Sequence, residues 1–132
     1  MYKLFTIQEA QGLIPVVDRN LREMQSGIND ALGVQEALKK AQPFSIEARN
    51  LSEELNFLLT GIQQNKAELD RMGVHLQDID AGLVNFPSQL GAEVVYLCWE
   101  QGQEAITHYH TLGEHESDRH PLPETSKTPA SI

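Results

Sequence analysis

The segment Phe44–Gly73, FSIEARNLSEELNFLLTGIQQNKAELDRMG, sets the architecture. Phe44, Ala48, Leu51, Leu55, Leu58, Ile62, Asn65, Leu69 and Met72 recur at alternating spacings of four and three. That is the heptad seam of an amphipathic helix, with Asn65 as its one polar member. Leu59 widens the apolar stripe, so more than one neighbouring helix is expected to pack on it. Gly73 is a natural left-handed stop. A helix over 44–72 spans about 43 Å at 1.5 Å per residue, longer than a compact domain of this size needs. A polar seam residue fixes register at a cost in stability. Asn65→Leu is therefore expected to raise thermal stability and broaden the oligomer distribution.

The segment before it reads as the partner helix. Thr6 can cap, Glu9 three residues on completes a capping box, and Phe5 can staple onto Ala10. Ala10, Ile14, Val17, Leu21, Met24, Ile28, Ala31 and Leu38 continue the apolar stripe, with Gln35 as a polar exception. Pro15 is expected to kink this helix or split off its first turn, because it cannot donate to the carbonyl of Gln11. Gln42-Pro43 marks the turn of the hairpin.

After Gly73 the period changes from helix to strand. Val74-His75-Leu76 is a short extended stretch, and Asp78 to Gly82 is turn-rich. Leu83 to Phe86 reads as a strand stopped by Pro87. Glu93 to Trp99, rich in β-branched and aromatic residues, is the clearest strand, and Ala105 to Thr111 returns after a turn at Glu100–Gln103. Three strands are expected. Residues 123–132 have too little apolar content to fold and read as a disordered tail. The fold class is α+β: a long antiparallel helical hairpin, about 6–72, followed by a small antiparallel β meander, about 74–112, in one domain over 1–122.

The chain has 132 residues, 40% hydrophobic and 22% charged, with a net charge of −9. Such a charge argues against nucleic-acid phosphates and anionic membranes as partners. No window approaches 18 apolar residues, so no membrane span is expected. A single cysteine, Cys98, suits a reducing compartment, and the start has no signal-peptide core. A cytoplasmic location is expected. The charge is uneven. Residues 1–71 hold 10 acidic and 8 basic side chains, net −2; residues 72–132 hold 9 acidic and 2 basic ones, net −7. All five histidines lie in the second part.

Two stretches carry a family resemblance. One is Gly73-Val74-His75-Leu76-Gln77-Asp78-Ile79-Asp80-Ala81-Gly82-Leu83-Val84-Asn85-Phe86-Pro87-Ser88. The other is Leu97-Cys98-Trp99-Glu100 with Gly102, Glu104, Ile106, Tyr109-His110 and Arg119-His120-Pro121-Leu122. With Phe5-Thr6, Glu9-Ala10 and Leu13-Ile14-Pro15, the chain resembles the bacterial domain-of-unknown-function family 2203 over about residues 4–122. The resemblance implies no activity, since that family is named for lacking an assigned one. Asn85 departs from the family's usual aspartate and His108 from its usual aromatic. Asp78, Asp80, Glu104, His110 and Arg119 stand on matching positions.

Three constellations carry chemistry. Ile106, His108 and His110 alternate along one face of a strand, and two histidines so spaced can reach one metal. Glu104 or Asp78 would complete a divalent site for zinc, iron or manganese. The plainer reading makes His110 a hydrogen-bonded, partly buried residue and His108 a surface one. Since Ile106 should face the core, His110 should be buried with it and contact Glu104, Asp78 or Asp80, which would suit it to acid/base work. Asp78 and Asp80 share one side of their turn and are expected to clasp Arg119. A lone DxD with no glycine-rich phosphate loop is a weak sign of nucleotide chemistry. Cys98 reads as a buried small hydrophobe; as a nucleophile it would need a histidine beside it. His115 and His120 are expected to contribute only solvation.

The leading expectation is a non-enzymatic oligomerisation or interaction module, a homodimer or larger assembly in which hairpins pair as a four-helix bundle. The alternative is a small metal- or acid/base-dependent enzyme, or a metal-binding protein, around His110, Glu104 and Asp78. An acidic mimic of nucleic acid has only the net charge in its favour.

Overall fold

The computed structural model describes residues 3–114 and 118–123. Two helices, α1 (Ile7–Lys40) and α2 (Ile46–Met72), form the antiparallel hairpin. Five strands follow as an antiparallel meander: β1 (His75–Asp78), β2 (Leu83–Leu90), β3 (Glu93–Glu100), β4 (His108–Thr111) and β5 (His120–Pro121), in sheet order β1-β2-β3-β4-β5. The α+β architecture is the one expected; the meander has two more strands than the sequence suggested. β5 is missed because two residues carry no periodicity.

Local chemistry explains the helix ends. The Thr6 hydroxyl accepts from the Glu9 amide while the Glu9 carboxylate accepts from the Thr6 amide, the capping box read from sequence. Ser45 caps α2 by accepting from the Ala48 amide. At the other end Gly73 takes φ 86°, and the Val74 amide reaches back to the Leu69 carbonyl. A side chain at Gly73 would be strained in that left-handed conformation.

Two proline expectations are corrected. Pro15 does not split α1, which runs unbroken through it. The residue is exposed, so the Gln11 carbonyl it leaves unbonded falls on the solvated flank, where water can replace the missing donor. Pro87 does not end β2 either. β1 pairs only as far as Asn85, so beyond that point β2 has an open edge on the side away from β3. The Pro87 carbonyl faces that edge and accepts from the Phe5 amide at 2.7 Å. The missing N–H points the same way and costs no ladder bond to β3.

The core lies between α1 and one face of the sheet. Val84, Phe86, Leu97 and Trp99 meet Val17, Leu21 and Met24, and Phe5 closes the edge with its ring perpendicular to Phe86. α1 is also tied to the meander by polar groups. The Gln11 amide donates to the Glu104 carbonyl and accepts from the Ile106 amide; Gln25 donates to the Ile79 carbonyl and to Gln101. Gly82, at φ 71°, lies so close to Gln101 that any Cβ there would overlap it.

These ties run from Gln11 to Gln25 and leave the tip of the hairpin outside them. In α2 only Leu69 is fully buried, while Leu51, Leu55 and Leu58 stay half-buried and Ile46 and Phe57 are exposed. Phe44 is off the seam altogether. It precedes the helix at φ 64° and is fully exposed, at 104%.

Candidate functional site

Alternation sends the residues that do not face α1 to the other side of the sheet. The registers His75↔Asn85, Asn85↔Cys98 and Cys98↔His108 place one cross-strand row there, and Pro87↔Tyr96 and Tyr96↔His110 place the next. This face gathers three of the five histidines, the one cysteine and a tyrosine. His110 and Cys98 are both buried, each 3% exposed, and Cys98 Sγ lies 2.9 Å from His110 Nδ1. The Tyr96 ring stands between the imidazoles of His75 and His110, 5.4 Å from each. Asn85, also buried, donates its side-chain amide to the Gln77 side chain.

A thiol held against an imidazole nitrogen is a pair that can share or transfer a proton, which an isolated buried cysteine cannot do. Cys98 is buried, as the sequence reading has it, and it also touches an imidazole. The signal was present in principle, since Cys98 and His110 lie on strands that could pair, but their diagonal contact depends on register.

His110 is buried, as expected, though for a different reason. Ile106 precedes β4 and packs in the helix-side core, whereas His110 faces the opposite way. His108 shares the face of His110 and is half-buried, with Nδ1 2.8 Å from the Thr107 hydroxyl. The side-chain contact that the structure gives His110 is to Cys98 rather than to the expected Glu104, Asp78 or Asp80. Glu104 is exposed on the β3–β4 connection, which Gln11 pins to the helix layer on the far side of the sheet. The Asp78 carboxylate accepts from the Ala81 amide at 3.2 Å and shapes the β1–β2 turn. Asp80 is exposed and borders a groove with Gln25 and Gln101. Among the described residues no group of three or more His, Cys, Asp and Glu side chains is arranged to hold a metal ion.

The clasp on the late segment is a different one from that expected. Among the described residues Arg119, exposed, makes no ion pair with Asp78 or Asp80. Instead the Glu114 carboxylate accepts from the Thr111 amide at 2.9 Å and lies 3.0 Å from His120 Nε2. His120 also packs its ring 5.4 Å from Tyr109, so it does more than meet solvent. The Thr111 amide, then the His120 imidazole, hold the Glu114 carboxyl down from 4.5 to about 2. His115 and residues 124–132 of the expected tail lie outside the described residues.

A second polar cluster, unforeseen in the sequence, crosses the hairpin. Asn20 is fully buried, accepts from Asn65 at 3.0 Å, and donates to the Val16 carbonyl and to Glu68 at 2.7 Å. Asn65 donates also to Glu23, and Arg19 reaches Glu68 at 2.9 Å. The Asn20 amide, more than Arg19, holds the Glu68 carboxyl below its ordinary value.

A helical hairpin carrying a five-stranded meander, with a thiol–imidazole pair on the outer sheet face, is the class of protein these observations define. The profile of the uncharacterized conserved proteins termed DUF2203 matches residues 3–122, and the chain belongs to that family. No curated protein and no solved structure matches it. No helix among the described residues is long and apolar enough to cross a membrane.

Proposed function

We propose that this protein is a non-enzymatic self-association module of the bacterial cytoplasm, a homodimer or larger assembly built through its helical hairpin. The observation that carries the reading is the half-buried seam. Two helices cover each other on one side only, and the polar ties to the meander stop at Gln25, short of the tip of the hairpin. Leu51 and Leu55 are left half-buried, and Leu32, Ile46 and Leu59 are exposed. A second hairpin laid on this end would complete a four-helix bundle. Phe44 adds support, since a bulky side chain at positive φ is strained and here contacts nothing within its own chain that would offset the strain. The charges permit self-pairing. The hairpin tip mixes Lys39, Lys40 and Arg49 with Glu36, Glu47 and Glu53, while most of the net negative charge lies after residue 71. Light scattering at micromolar concentration should give at least twice the 14.8 kDa chain mass, and Leu59→Glu should reduce it. A wild-type monomer overturns the reading.

The Cys98–His110 contact favours a second reading, a small acid/base- or metal-dependent enzyme or a metal-binding protein. Its site would centre on His110, with His108, Glu104 or Asp78 supplying further groups by rearrangement. Metal analysis of protein purified without chelator or affinity tag discriminates. Stoichiometric zinc, iron or manganese lost in His110→Ala would favour this reading over the module.

A further inference from the structure

The flank of the hairpin away from the sheet carries a groove of about 280 Å³ between α1 and α2. Its floor is apolar and low, because two glycines form it. Gly27 lets the helices approach so closely that a Cβ there would lie 3.0 Å from Ile62, and Gly61 has open space above it. Leu58 and Ile62 line the floor, and Phe57, 77% exposed, forms a free wall. The charged members of the lining are Glu23 and Asp30, with no cation among them. Glu54 continues the same face toward the tip, since Leu58 and Gly61 follow it by four and seven residues. Glu23 is engaged by Asn65 and ion-paired with Arg19 at 3.7 Å, whereas Asp30 and Glu54 make no ion pair among the described residues.

We infer that this groove docks a basic amphipathic helix of a partner protein. The apolar floor takes its leucine-type anchors, and Asp30 and Glu54 pair with lysines or arginines on its rim. From Glu54 to Asn65 the groove extends about 17 Å, enough for three turns of the guest helix. A second copy of this chain fits the groove poorly, because Phe57 would carry Glu53 and Glu54 with it toward Glu23 and Asp30. The inference is independent of the self-association reading, which uses the tip and the Leu59 side.

The probe is a fluorescein-labelled 16-residue peptide with leucines at helical i, i+3, i+4 and i+7 spacing and lysines elsewhere; a control carries glutamates in place of the lysines. Fluorescence anisotropy should show saturable binding of the lysine peptide alone. Gly61→Trp fills the groove from open space without a change of charge and should weaken binding at least tenfold; circular dichroism checks that the helices persist. Asp30→Asn with Glu54→Gln should weaken it and flatten its salt dependence. Equal binding by wild type and Gly61→Trp, or equal binding of both peptides, overturns the inference. So does a drop in wild-type mass on Gly61→Trp, which would make a second copy the occupant.

Discussion

Asn65 shows how one side chain changes meaning once its neighbour is known. From spacing alone it is a polar intruder in a seam, and leucine there should stabilise. In the hairpin it donates to the Oδ1 of Asn20, which has no access to water. Removing that donor strands a buried acceptor, so Asn65→Leu should lower stability by about 1–3 kcal/mol in urea unfolding. Glu114 gives a second test. Its carboxyl pKa is depressed to about 2 in the folded chain, so the unfolded chain binds the proton more readily. The stability it contributes is fully present above its unfolded value of 4.5 and is lost as pH falls through about 2. Carbon-detected titration should place the Glu114 midpoint near 2, and Glu114→Gln should loosen the pairing of His120 with Tyr109 at neutral pH.

Helix α1 runs for 34 residues with a proline inside it, and this is possible because Pro15 sits on a solvated flank. Its cost is the lost hydrogen bond and the ring's clash with the preceding turn, partly offset by a stiffer unfolded chain. Pro15→Ala should raise stability by about 1–2 kcal/mol, read as an upward shift of the urea midpoint at unchanged slope. The Thr6 capping box of α1 and the Gly73 stop of α2 were legible because they depend on neighbours three to five residues away. The end of β2 was not legible. Whether a proline stops a strand depends on which edge its nitrogen faces, and that is set by β1, a separate segment.

For the molecule as a whole, the light-scattering prediction tests whether the uncovered end of the hairpin is the reason for its length. A monomer would leave the half-buried seam without a purpose in assembly. The order of elements, the α+β class, the hairpin turn near Pro43 and the alternation of Val95, Leu97 and Trp99 against Tyr96 and Cys98 follow from the sequence, because periodicity records which face is buried. Tertiary structure alone decided which polar groups meet. The meander's register set His110 beside Cys98 and left Glu104 on the helix side of the sheet. The His120 imidazole took Glu114, leaving Arg119 in solvent. The approach of the helices at Gly27 brought Asn20 to Asn65. Apart from the local Glu114–His120 pair, each is a contact between distant segments whose strength depends on tenths of an ångström, and periodicity carries no record of that distance.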